Sequence, residues 1–265
     1  MDLNLTGKRA VVTGGSRGIG FAIADALAAE GADVAVLARN QDRLEQAGKR
    51  LRERGRRVLT LAADTTDDDA VRAAISRTVA ELGGVDILVN AAAEPAGPGF
   101  PRTLAELTDA ALLAEIDTKL LGYLRCARAV APHMIAQGWG RIINVSGLSA
   151  RSTGLPSGSI RNVGVAALAK NLADELGPSG INVTVVHPGM TVTERTPAVI
   201  ASYAATGGVT EAEAAASMAA GISIGRVVTA EEVADVVTFL ASPRSVAING
   251  DAIAVGGGTR GPIHY

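Results

Sequence analysis

The chain has 265 residues, 48% hydrophobic, 20% charged and 3% aromatic, with a net charge of −2. That composition suits a globular core built from Ala, Val, Leu and Ile, and the near-neutral charge gives no general pull toward nucleic acid or acidic lipid. The single cysteine, Cys126, excludes an intrachain disulfide and fits a reducing compartment. No apolar run approaches the ~20 residues of a membrane span. A strand-like run at 8–12 begins with no basic head and apolar stretch before it. The expectation is a cytoplasmic protein with no metal site, no nucleic-acid partner and no membrane association.

Short apolar runs predict strands near 9–13, 33–38, 57–62, 85–90, 141–145, 181–187 and 250–255. Their near-continuous hydrophobicity is that of strands buried on both faces. Helical patterns fill the gaps. Ile19, Ile23 and Leu27 recur at spacing four over 19–30, and Gly31 stops them. Residues 67–82 open with Asp67, Asp68 and Asp69, which suit the positive end of a helix dipole. Residues 229–241 open with a capping box from Thr229 to Glu232. Strand–helix alternation over residues 1–265 predicts one α/β domain, doubly wound, with a seven-stranded mostly parallel sheet and helices on both faces. The stretch 189–228 reads as irregular, and a loop of that length serves as a substrate lid or is a surface excursion. The basic run 49–57 reads as the solvated face of a helix ending at Gly55.

The first strand runs straight into Thr13-Gly-Gly-Ser-Arg-Gly-Ile-Gly20, and a helix follows. Gly14, Gly18 and Gly20 allow a tight turn and a close approach of backbone to a pyrophosphate, and the helix N-terminus supplies free N–H groups. Ser16, Arg17 and Ile19 lie in the same loop. This is the dinucleotide-binding turn of a Rossmann-type domain. At the end of the second strand, Ala38 stands where an acid would hold a ribose hydroxyl, and Arg39 follows. Arg39 and Arg17 are two guanidiniums suited to a 2′-phosphate, which predicts NADP(H) as the cofactor. The alternative is that both are surface residues.

On these residues the chain resembles the short-chain dehydrogenase/reductase family over nearly its whole length. The resemblance implies an adenine contact at Asp64 and the adjoining Thr65, and a ribose-side Asn at Asn90, which ends Asp86-Ile-Leu-Val-Asn90. It also implies a nicotinamide-side loop at Pro188, Gly189, Thr191 and Thr193, with Thr193 on the carboxamide. Activity on a carbonyl or alcohol and assembly into dimers or tetramers follow from the same resemblance.

The family's chemistry uses Asn, Ser, Tyr and Lys, and here the pattern breaks. The helix after its Tyr-x-x-x-Lys motif matches 166–176, which puts Gly158 at the tyrosine and Asn162 at the lysine. Lysines stand only at 8, 49, 119 and 170, preceded four residues earlier by Asn4, Glu45, Glu115 and Ala166. No tyrosine lies between Tyr123 and Tyr203. Gly147 falls at the usual serine, leaving Ser146 and Ser149 nearby. Lys119 replaces the helix asparagine, and Ala91, Ala92 and Ala93 follow Asn90 without the usual glycine.

Lys119 and Asn162 together read as an exchange that keeps one ammonium and one amide in a shared network, or as two independent losses. An exchange requires Lys119 to point inward. Candidate replacement groups are Lys119, Ser146, Asn162 and Tyr203, with Tyr123 and the tail 263–265 as further possibilities. Tyr123 lies one turn from Lys119 but suits a core position, and His133 and His187 read as structural. Three functions remain open: an NADP(H)-dependent oxidoreductase with a replaced acid, an inactive binding or partner subunit assembling with itself or an active relative, and a non-redox isomerase or lyase that keeps NADP structurally.

Overall fold

A computed structural model describes residues 1–93, 101 and 103–259. The strands are β1 Arg9–Thr13, β2 Asp33–Ala38, β3 Val58–Ala62, β4 Ile87–Asn90, β5 Gly140–Val145, β6 Ile181–Pro188, β7 Thr191–Val192, β8 Val228–Thr229 and β9 Ala252–Val255. The helices are α1 Gly18–Ala29, α2 Gln41–Arg52, α3 Asp68–Leu82, α4 Asp109–Glu115, α5 Gly122–Gln137, α6 Pro156–Leu176, α7 Thr196–Gly207, α8 Glu211–Ala220 and α9 Ala230–Ala241. One seven-stranded sheet has the order β3-β2-β1-β4-β5-β6-β9, and every pairing in it is parallel. β7 and β8 form a separate two-stranded ribbon.

Alternation along each strand divides the core into two layers. Ala10, Val12, Val34, Val36 and Val89 meet Ile23 and Leu27 of α1 and Val233 and Val237 of α9. Val11, Leu37, Leu88, Ile142 and Val185 face the other way, onto Ile75 of α3, Val130 of α5 and Val165 of α6. Every residue of β5 and β6 is buried, which is why those segments read as unbroken apolar runs.

The helix boundaries follow local chemistry. The Asp67 carboxylate accepts the Asp69 and Ala70 N–H groups at the start of α3, and Gly83, at φ +88°, ends it. At α9 the capping box is complete: Glu232 N–H donates to Thr229 Oγ1 at 3.2 Å, and Thr229 N–H donates to Glu232 Oε2 at 2.8 Å. α1 differs, with no side-chain cap and no acidic residue in its first turn. Its N-terminal donors are left for something else.

The reading of 189–228 as irregular is corrected. The segment carries β7, α7, α8 and β8. α7 and α8 are rich in alanine, which favours helix by propensity but writes no apolar stripe, so periodicity missed them. The basic run 49–57 ends α2 and continues past it. Arg54 pairs with Asp25, and Arg56 and Arg57 pair with the buried Asp33.

Chain order reverses between β1 and β4, so the crevice at their C-terminal ends is where an open parallel sheet takes a ligand. Thr229→Ala removes the cap of α9 and should lower unfolding stability in urea by about 1 kcal/mol without changing the slope of the transition.

Candidate active site

A cleft of about 660 Å³ opens at that crevice. Its floor is the turn from β1 into α1. Gly14 has φ +67°, and its N–H donates to the Leu37 carbonyl at 2.7 Å. A side chain at Gly14 would begin 2.8 Å from the Ala91 carbonyl oxygen, and one at Gly20 would begin 2.3 Å from the Gly14 carbonyl oxygen. Neither space exists, so glycine is required at both. Thr13 Oγ1 accepts the Ala91 and Ala92 N–H groups at 3.1 and 3.2 Å. That anchor holds the strand exit after Asn90, and Ala91–Ala93 keep ordinary negative φ without the family's glycine.

One end of the cleft is cationic. Arg17 and Arg39 line it, joined by Arg43 from the first turn of α2. Arg43 lies one helical turn after Arg39, a spacing that could have revealed it in the sequence. Asp64 and Thr65 line the same end, and Asp64 Oδ1 accepts the Thr66 N–H and hydroxyl at 3.0 and 2.9 Å. Ser16, Gly18 and Ile19 lie along the floor, and Pro188, Gly189 and Thr193 form the far wall.

Lys119 occupies the other end, on a π-helical turn, Ile116–Leu121, that joins α4 to α5. Such turns re-aim side chains and recur at functional sites. Lys119 is 3% exposed. Its Nζ donates to the Ser146 carbonyl at 2.8 Å and to Asn162 Oδ1 at 2.9 Å. Lys119 therefore points inward and meets Asn162 directly. No carboxylate among the described residues forms an ion pair with it, because Glu115 pairs with Arg161. Burial pulls the Lys119 ammonium down to about 7 from its usual 10.5, with Arg161 pushing the same way and Glu115 opposing.

Asn162 spends its other end on Ser149, with Nδ2 donating to Oγ at 2.6 Å. The Ser146 hydroxyl donates to the Asn162 carbonyl at 3.2 Å. A side chain at Gly158 would begin 2.6 Å from Leu155 Cδ2, so Leu155 fills the space that a residue there would need.

Several expected site residues lie elsewhere. Asn90 is fully buried beneath the floor, where Nδ2 donates to Asn144 Oδ1 at 3.0 Å, and it does not reach the cleft. Thr191 also stands off the cleft, its hydroxyl donating to the Gly189 carbonyl at 3.1 Å. Tyr203 is corrected as a candidate acid: it lies on α7, 49% exposed, and does not line the cleft. Tyr123 donates its hydroxyl to the Val145 carbonyl at 2.8 Å, and burial pushes its pKa upward, so it is a core phenol. His187 accepts the Gly147 N–H on Nδ1, and burial, with Arg151 and Lys119 nearby, lowers its pKa to about 4. The tail candidates 263–265 lie outside the described residues. Among the described residues no group of acidic, His and Cys side chains could hold a metal, and no helix is long and apolar enough to cross a membrane.

The fold agrees with comparison to known proteins. The short chain dehydrogenase family model matches residues 8–204, and the chain belongs to that family. Short-chain reductase protein NovJ of Streptomyces niveus is 36% identical over 250 residues, covering 94% of this chain and 92% of NovJ. The cis-4-hydroxycyclohexanecarboxylate dehydrogenase of Sinomonas cyclohexanicum is 38% identical, covering 94% and 95%. The crystal structure of L-sorbose reductase from Gluconobacter frateurii, in complex with NADPH and L-sorbose, superposes with a TM-score of 0.91 at 32% identity, covering 99% of this chain and all of that one.

The buried lysine makes a signed prediction. Its pKa is lower folded than unfolded, so between about pH 7 and 10.5 the unfolded chain binds a proton that the fold does not. The contribution of Lys119 to stability therefore rises with pH across that window and is flat outside it. Lys119→Met leaves two carbonyl oxygens without a donor, a cost that does not vary with pH. In urea melts the difference between wild type and Lys119→Met should move toward wild type from pH 7 to 10, by at most about 1.4 kcal/mol per pH unit. A constant difference would place the lysine in water.

Proposed function

We propose that this chain is an NADP(H)-dependent oxidoreductase that interconverts a carbonyl and an alcohol, with Lys119 as the proton donor and acceptor in place of the family's tyrosine. The observation that carries this reading is the Lys119 ammonium at the cleft, fastened by two neutral oxygens and, among the described residues, bonded to no carboxylate. A lysine drawn to about 7 gives up and regains a proton at neutral pH, which is what general acid–base catalysis needs.

The cleft fits the dinucleotide. Gly14, Gly18 and Gly20 leave space for a pyrophosphate, and the uncapped N-terminus of α1 offers N–H donors. Ser16 and Ile19 border the same floor. Arg17, Arg39 and Arg43 would take the 2′-phosphate, and Asp64 and Thr65 the adenine side. Pro188, Gly189 and Thr193 would border the nicotinamide. When bound, the cofactor supplies or accepts the hydride. The NADPH in the L-sorbose reductase crystal and the reductase and dehydrogenase names of the relatives support this reading. Leu148, Leu155 and Met190 line the substrate end and would exclude water from it.

An inactive partner subunit would be expected to have a filled or collapsed cleft, and the open cleft counts against that reading. The assembly we favour is a homo-oligomer, supported by the exposed Leu113, Leu121, Ile135, Ile160 and Val163 on and between α4, α5 and α6.

Calorimetric titration tests the cofactor. NADPH should bind, and Arg39→Ala should weaken it about 10- to 100-fold while leaving NADH nearly unchanged, since a charged hydrogen bond is worth about 1.5–3 kcal/mol. Equal losses for both cofactors would remove the 2′-phosphate assignment. A panel of aldehydes and ketones added to the NADPH complex tests the chemistry. At least one should be reduced, and Lys119→Ala should lower kcat by about 10²- to 10⁴-fold. Binding without turnover of any carbonyl would overturn the oxidoreductase reading.

A further inference from the structure

We infer that Ser149 is the residue that meets the reacting oxygen of the substrate, taking the place left by glycine at both 147 and 158. This rests on the carbonyl-reductase reading above. Three observations carry it.

The first is position. Ser149 lines the cleft. Its Oγ lies 3.4 Å from where a side chain at Gly158 would begin and 3.9 Å from where one at Gly147 would begin. One hydroxyl thus stands between the two positions at which the family resemblance places the serine and the tyrosine.

The second is hydrogen-bond direction. Ser149 Oγ accepts from Asn162 Nδ2 at 2.6 Å, and among the described residues its own proton is donated to nothing. A hydroxyl carries one donor, so Ser149 can give its donor to a substrate oxygen. Ser146 cannot do so without breaking a bond. Its hydroxyl donates to the Asn162 carbonyl, and its own carbonyl accepts from Lys119. Ser146, a candidate in the sequence, is thereby assigned to holding the network.

The third is what stands behind Ser149. Lys119 Nζ donates to Asn162 Oδ1, and Asn162 Nδ2 donates to Ser149. Each donor in such a chain polarises the next, so the ammonium strengthens the Ser149 O–H as a donor through Asn162. Asn162 is a positioning residue and Ser149 the contact. In the reduction, the carbonyl carbon takes a hydride from NADPH and the carbonyl π pair moves onto oxygen. Ser149 holds that oxygen by a hydrogen bond and is unchanged at the end. Lys119 supplies the proton that completes the alcohol and regains it from solvent.

The test uses the carbonyl compound that the wild-type NADPH complex reduces fastest. Ser149→Ala should lower kcat about 100-fold, the scale of a lost oxyanion donor, with KM and NADPH affinity little changed. Ser149→Thr keeps the hydroxyl and should recover most of the rate. Independently of any substrate, Ser149→Cys puts a thiol at the same point. Its iodoacetamide reactivity should titrate below the ordinary thiol value of about 8.5, because the amide and ammonium favour the thiolate. Cys126 is fully buried and, with its pKa pushed up to about 12, does not interfere. If wild type reduces carbonyls and Ser149→Ala does so at a similar rate, the assignment of Ser149 fails and the oxidoreductase reading stands. If wild type reduces none, both fail. A thiol at 149 that does not react, or that titrates above the ordinary value, would also overturn the assignment.

Discussion

The carbonyl oxygen of Gly14 lies where a side chain at Gly20 would begin, and that contact sets how α1 leaves the sheet. With both positions bare, the helix starts close against the strand end and aims its unsatisfied N–H groups into the crevice. Thr13 then ties β1 to the exit of β4 through two amides. The floor of the cleft is fixed by backbone and by one threonine hydroxyl. The walls can therefore vary in sequence without moving the floor.

The electrostatics of the proposed substrate end rest on one pair: the Lys119 ammonium stands on the π-helical turn before α5, and the Asn162 amide on α6. Two neutral carbonyl oxygens hold the ammonium, so burial outweighs attraction and its pKa falls toward neutrality. Burial, with Arg151 and Lys119 pushing the same way, keeps His187 neutral down to about pH 4. Among the described groups lining the substrate end, Lys119 is the one drawn to change charge near neutral pH.

The sheet and the glycine turn after β1 were legible because both are written in local pattern. Buried strands read as apolar runs, and glycines before a helix have few uses. Arg43 was missed although its spacing from Arg39 encodes it. Asn90 was misplaced because a resemblance gives a position in the chain and not the depth of a side chain. Here the amide is spent on Asn144. α7 and α8 carry propensity without periodicity and left no stripe to read. The π-helical turn leaves no sequence mark, and it decides where Lys119 points. The hydrogen-bond directions that separate Ser146 from Ser149 exist only once α6 and β5 are packed together.

Leu155 has a consequence for what position 158 can accept. A tyrosine at 158 would meet the end of the Leu155 side chain, so it fits only if that side chain swings aside. A lysine at 162 would meet Lys119 across what is now a 2.9 Å bond, setting two ammoniums together in a buried place. An asparagine at 119 would leave two amides facing each other without the lysine ammonium. Each of these single changes meets a neighbour in the present arrangement. Positions 119, 158 and 162 therefore behave as one unit, tied together by packing and charge, and a change at one sets what the others can accept.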